Sequence, residues 1–225
     1  MLVRETKNME LHMYKIEIEA TGHVTNTYVI KDKSTNKLAV VDPAFDGNRI
    51  KEQIKSIGEL ECVVITHSHA DHIAGLKDLV DGTNAKVYIH LLDKEGLYNP
   101  VLNEEQVVAT KVKAVDEANV QTVEDEEIIK IGNLEFTVMY TPGHTQGSLI
   151  VYNEQEQVLI SGDTIFKSSY GRTDLITSNT GDMGISLDKI FNKFENIYVY
   201  PGHGEEFELA NSKRRIKLLF AFNAN

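Results

Sequence analysis

Residues Thr66 to Gly75, "THSHADHIAG", bring three histidines and one aspartate (His67, His69, Asp71 and His72) together directly after the apolar run Cys62-Val63-Val64-Ile65. Imidazole and carboxylate are the donors that zinc, iron and manganese accept. His67 and His69, two apart in an extended loop, can face one ion. Asp71 and His72, adjacent where the chain turns into a helix, can serve a second ion a few ångströms away. Similar side chains recur wherever an apolar strand ends: His144 after "FTVMYTPG", Asp163 after "QVLISG", His203 after "IYVYPG". Five of the eight histidines fall at these exits, more than composition alone explains, while His12, His23 and His90 read as ordinary residues. Asp163, with two oxygens, is the natural bridge between two ions. Gly143, Gly162, Gly202 and Gly204 flank the ligand positions, where tight turns bring side chains toward one point. The single cysteine, Cys62, reads as a small core residue, so no thiolate is offered for a structural zinc site.

Two divalent ions about 3.5–4 Å apart lower the pKa of a shared water toward neutrality and polarise a carbonyl, so hydroxide can attack without a serine or cysteine nucleophile. Asp71 could also orient that hydroxide. No general acid stands out. A thiolate of pKa near 8.5 leaves without a donated proton, which favours a thioester as the bond cleaved.

Such a centre needs strands that end together. At 225 residues, 41% hydrophobic and 25% charged, the chain fits one globular domain spanning 1–225. No apolar stretch is long enough to span a membrane, and "MLVRETKNMELHMYK" lacks a secretory leader, so a cytoplasmic location is expected. A net charge of −11 disfavours nucleic acid, and no membrane partner is expected. The basic cluster "SKRRIK" reads as the solvated face of a last helix. "YKIEIEA", "TNTYVIK" and "KLAVVDP" alternate as strands, and Ile50, Ile54 and Ile57 recur at helical spacing before Gly58. Ile73, Leu76 and Val80 predict a helix from about His72, with Asp71 at or near its N-cap. Residues 91–127 are polar and weakly periodic, equally a flap over the site or a surface excursion. "EIIKI", "LEFTVMY", "SLIVY" and "QVLIS" resume the strands; a helix is expected from Ser186, then the strand "NIYVY". Strands in blocks relieved by helices suggest an α/β (α+β) fold with two mixed sheets and helices outside.

These motifs resemble the metallo-β-lactamase superfamily: "THSHADH" is similar to its H-x-H-x-D-H signature, and "PGHTQGS", "SGDTIF" and "PGHG" follow in its order. The resemblance implies a four-layer αββα sandwich with metals at one edge between two sheets. It implies that His67, His69 and His144 hold one ion, Asp71, His72 and His203 the other, and that Asp163 bridges them. Asp42 of "VDPA" would stand behind the metals as a hydrogen-bond partner, or serve only a turn. Within the superfamily the chain is most similar to short relatives of the glyoxalase II (hydroxyacylglutathione hydrolase) enzymes, which implies hydrolysis of S-lactoylglutathione or a related small-molecule thioester with two divalent ions, zinc expected and iron or manganese compatible. Two departures matter. The chain extends from His203 only to Asn225, so the helical glutathione-binding extension of the full-length enzymes is not expected. A lysine and a tyrosine that those enzymes place after the bridging aspartate are replaced by Gly171-Arg172-Thr173-Asp174, where Arg172 could clamp a substrate carboxylate or simply pair with an acid. A mononuclear-iron persulfide dioxygenase, with a similar loop and "GRTD" segment, is the enzymatic alternative. A non-catalytic metal-binding or electron-transfer module is the other. A β-lactamase is disfavoured, because many use a cysteine where Asp163 stands.

Overall fold

The computed structural model describes the backbone of residues 2–5 and residues 10–223 in full; the start of the "MLVRETKNMELHMYK" stretch lies partly outside the described residues. Strands β1 (Leu2–Glu5), β2 (Leu11–Ala20), β3 (His23–Asp32), β4 (Lys37–Val41), β5 (Glu59–Val64), β6 (Lys86–His90) and β7 (Val120–Val123) form a sheet in chain order. β1 to β4 pair antiparallel and β4 to β7 parallel. The second sheet has the order β13-β12-β11-β10-β9-β8, from β8 (Ile128–Ile131), β9 (Leu134–Tyr140), β10 (Leu149–Asn153), β11 (Val158–Gly162), β12 (Tyr198–Pro201) and β13 (Phe207–Glu208). Among the described residues, only β11 and β12 are parallel neighbours in it.

Consecutive apolar residues in these strands face opposite ways, as the two-residue period requires. Val40 and Val63 pack outward with Ile50 and Ile54 of α1 (Gly47–Lys55), whereas Val41 and Val64 point inward to Val151 and Ile160 of the other sheet. Ile150 and Leu159 point outward beneath Leu187 and Ile190 of α5 (Thr180–Lys193) and Ile216 of α6 (Leu209–Asn223). Strands buried on both faces therefore read as continuous apolar runs. Each such side chain contributes about 1.5–3 kcal/mol on burial. The result is the four-layer αββα sandwich. Cys62 lies in the layer between the sheets, where burial pushes its thiol up to about 12. Among the described residues no helix is long and apolar enough to cross a membrane.

Two helix boundaries differ from expectation. The helix after the histidine loop is two short pieces, α2 (Ala70–Ile73) and α3 (Leu76–Val80), and it starts at Ala70, so Asp71 lies in its first turn rather than at its cap. The break follows from packing: Gly75 N–H donates to Pro43 O, and a Cβ on Gly47 would stand 1.9 Å from Gly75 O. α5 begins at Thr180, six residues before Ser186, because the Asn179 side chain accepts from Asp182 N–H and caps it. Gly181 and Gly184 weaken the helical signal of that first turn, and Gly184 leaves room for the Phe220 ring. Within 91–127 the chain forms a 3-10 turn at Leu91–Leu97, α4 (Glu105–Val108) and the edge strand β7.

Topology brings the chemistry-bearing exits together. β10 is antiparallel to both β9 and β11, so β9, β11 and β12 end at the same edge. β4 and β5 end there too, since Leu149 N–H at the start of β10 donates to Thr66 O (2.9 Å) just beyond β5. The opposite edge is tied by Asp32, whose carboxylate accepts from Ser34 N–H and Oγ, Thr35 Oγ1 and, from the β8–β9 turn, Asn133 N–H. Burial opposes the charge, but these bonds win and lower its pKa to about 2. A lowered folded pKa means stability that is present above the unfolded value and lost as pH falls from about 4 to about 2. Asp32→Asn should therefore destabilise the protein near neutrality by on the order of 1–2 kcal/mol, with some solvent screening allowed for. Urea midpoints at pH 7 and pH 3 check this; a difference that does not shrink at the lower pH would refute it.

Candidate metal centre

Beyond β5 the chain stays extended through His69 (φ −64°, ψ 145°) and then enters α2. Ala70 N–H donates to Asn103 O, which fixes the bend. His67 and His69 thus leave an extended segment, and Asp71 and His72 leave the first helical turn. His144 follows β9, Asp163 follows β11, and His203 follows β12. Three donor groups result, each with its atoms within 4.8 Å of one another: His67, His69 and His144; Asp71, His72 and His203; and His67, His72 and Asp163. Asp163 reaches both of the first two groups, with Oδ2 3.5 Å from His144 Nε2 and 3.3 Å from His203 Nε2, and Oδ1 3.4 Å from His72 Nε2. Gly202 is required by this crowding, since a Cβ there would stand 2.3 Å from Asp163 Oδ1 and 2.6 Å from His72 Cε1.

The second nitrogen of each ring shows what aims it. His144 Nδ1–H donates to Arg172 O (2.9 Å) and His203 Nδ1–H to Val24 O (2.6 Å). His72 Nδ1–H donates to Asp42 Oδ2 (3.0 Å). Thr66 Oγ1 gives its proton to the same Oδ2 (2.6 Å), so it can only accept from His67 Nδ1–H (3.1 Å). Asp42 Oδ1 accepts from Thr66 N–H (2.8 Å). One buried carboxylate therefore orients His72 directly and His67 through a hydroxyl. With Nδ1 so committed, Nε2 of His67 and His144 points inward, and together with His69 Nε2 and Asp163 Oδ1 it is buried with no hydrogen-bond partner. Burying an unpaired polar atom is costly. Ligand atoms of His67, His69 and His144 lie within 4.8 Å of one another, and those of Asp163, His67 and His72 likewise, an arrangement that fits cations.

Electrostatics agree. Burial, then the neighbouring rings, holds His67 well below the usual imidazole range and His69 at about 3, so both are neutral donors. Burial acts the same way on His72 and His203 but is overridden by Asp163 and Asp71, which raise them to about 10 and about 11. Burial likewise opposes ionisation of Asp71 and Asp163, and the two histidines lower both carboxyls. Two carboxylates this close to the imidazoles call for positive charge between them, which a divalent cation would supply.

All seven side chains singled out at the strand exits, and Asp42 behind them, thus meet at one edge. Arg172 lies at the rim, but its Nε and Nη2 donate to Asp174 Oδ1 (2.7 Å) and Oδ2 (2.8 Å). Sequence reasoning missed His23, Glu104, Val107 and Val108, which line the adjoining cavity of about 380 Å³. It also missed Asp93. That buried carboxylate accepts from Ser68 N–H (2.9 Å) in the His67–His69 loop and from Thr145 Oγ1 and Gly147 N–H (2.8 Å each) in the His144 loop. Burial raises its pKa although these bonds oppose it. Asp93→Asn should turn one acceptor into a donor facing donors, costing about 2–3 kcal/mol. A lower urea midpoint together with reduced metal occupancy would be the observation; unchanged values would remove Asp93 from this role.

A family model described as the metallo-beta-lactamase superfamily matches residues 20–203. The chain is 29% identical over 195 residues to the "Probable metallo-hydrolase YqgX" of Bacillus subtilis, covering 84% of this chain and 90% of that protein. It is 32% identical over 177 residues to the hydroxyacylglutathione hydrolase of Francisella tularensis subsp. novicida, covering 78% of this chain and 61% of that protein. Among solved structures, the BLEG-1 B3 metallo-beta-lactamase superposes with a TM-score of 0.79 at 29% identity, covering 88% of this chain and 95% of that one. TTHA1623 in a di-iron-bound form has the same TM-score at 22% identity, over 91% and 99% of the two chains, which speaks to fold alone. The donor set, the αββα architecture and the matched span agree: the chain belongs to the metallo-beta-lactamase superfamily.

Proposed function

We propose that this chain is a two-metal hydrolase that cleaves thioesters. The reading is carried by the four unpartnered inward atoms of His67, His69, His144 and Asp163, set beside the second group of Asp71, His72 and His203. His67, His69 and His144 would hold one ion, Asp71, His72 and His203 the other, and Asp163 would reach both. When bound, divalent ions supply a water acidic enough to react at neutral pH and a Lewis acid for a carbonyl.

The rest of the task falls to the chain. Asp42 and the carbonyls of Arg172 and Val24 hold the rings in the tautomer that presents Nε2. Asp71, whose Oδ2 accepts from Thr25 Oγ1 (3.3 Å) and which lines the cavity, would orient the attacking water. A thiolate leaves with its charge, so no proton donor is needed. The similarity to a hydroxyacylglutathione hydrolase supports a thioester over an amide substrate.

The test is metal analysis of the purified protein alongside turnover of a thioester, a persulfide and a β-lactam. About two equivalents of zinc, iron or manganese with thioester hydrolysis is the expected outcome. One iron with oxygen uptake on the persulfide would replace the reading, as would preferential cleavage of the β-lactam.

A further inference from the structure

The cavity of about 380 Å³ that opens over the metal-centre donors has an apolar wall. Val107 and Val108 from α4 and Phe166, Tyr170 and Leu175 from the segment after β11 line it. Tyr170 is held in place, since its hydroxyl accepts from Asn223 Nδ2 (3.0 Å) and its ring packs edge-to-face with Phe220 near the end of α6 (ring centroids 5.3 Å apart). The apolar character extends outward: Val107 is 51% exposed, and Ile176, next to Leu175, is 61% exposed. Exposed apolar residues clustered at a cavity mouth mark a binding surface.

The charge at the rim points the same way. Among the described residues lining the cavity, Arg172 is the one lysine or arginine, and two of its nitrogens are committed to Asp174. Glu104 lies near it and adds a negative charge that Arg172, already paired, does not cancel. Glutathione as thiol carrier would bring two carboxylates to a wall whose one lysine or arginine among the described residues is already ion-paired, on a chain of net charge −11.

We infer that the thiol arm of the substrate is uncharged and apolar, an alkyl-like chain packed against α4 and the Phe166–Leu175 segment, and not glutathione. This rests on the thioester reading of the site. Glu104 then disfavours anionic arms, and chain length in the arm is read by area buried.

The experiment compares acetyl thioesters of ethanethiol, butanethiol and hexanethiol with S-acetylglutathione on the metal-loaded full chain. Within the alkyl series the basicity of the leaving thiolate is nearly constant, and kcat/KM should rise about threefold to fourfold per methylene. The hexyl ester should exceed S-acetylglutathione by at least about tenfold. Val107→Asp, at an exposed position, should flatten the dependence on chain length. A flat series in the parent protein, or preference for S-acetylglutathione, overturns the inference. Calorimetric binding of hexanethiol and glutathione separates the two levels. If no thioester turns over and hexanethiol still binds at least about tenfold more tightly, the hydrolase reading fails and the apolar site stands. Tighter binding of glutathione overturns the apolar site whatever the turnover.

Discussion

Replacing His67 by alanine should strip metal from the first donor group and lower thioester turnover on the order of a thousandfold or more, since a metal supplies several kcal/mol of transition-state stabilisation. His67 is the hub of the cluster: its ring lies 4.7 Å from that of His69, 4.1 Å from His72 and 4.8 Å from His144, centroid to centroid. His67 also belongs to two of the three donor groups. The strands do not depend on it, because Val63, Val64 and Ile65 remain buried in their own layers. Far-UV circular dichroism should therefore change little while metal content falls by about one equivalent or more. Full metal content with full activity in the variant would end the assignment.

Asp42→Ala should have the second-largest effect. Its two oxygens take three protons, from Thr66 N–H, Thr66 Oγ1 and His72 Nδ1–H, and all partners are buried. Removal leaves Thr66 N–H unpaired and frees a ring in each of two donor groups. Metal affinity should fall about 10–100-fold, and stability by about 2–4 kcal/mol. Competition with a chromophoric chelator measures the first and urea unfolding of the metal-free protein the second. Loss of stability without loss of affinity would make Asp42 a turn residue only. The left-handed backbone at Asp42 (φ 51°) gives the turn reading some purchase, which is why both measurements are needed.

Much of this centre was legible because its chemistry is written in residue types at strand exits. His67, His69, Asp71, His72, His144, Asp163 and His203 each follow an apolar run, and strand ends are well marked by periodicity. What stayed hidden depends on tertiary contacts. Asp93 sits in a polar stretch and matters only because the His144 loop folds onto it. His23 looked ordinary, since nothing local reveals that the β2–β3 hairpin ends at the cavity. Val107 and Val108 belong to a four-residue helix too short to show a period. The α2–α3 break depends on Gly47 and Gly75 touching backbone to backbone, and the start of α5 on a capping asparagine followed by two glycines.

His67, His69, Asp71 and His72 hang from the seven-stranded sheet, whereas His144, Asp163 and His203 hang from the six-stranded one. Cations held by both would act as a clasp across the sandwich, and the polypeptide could not come apart without surrendering them. By mass action, a hundredfold excess of free ion over Kd adds about 2.7 kcal/mol to the folded state. Cellular abundance of this protein would then follow the supply of its ion, with starved copies cleared by proteolysis.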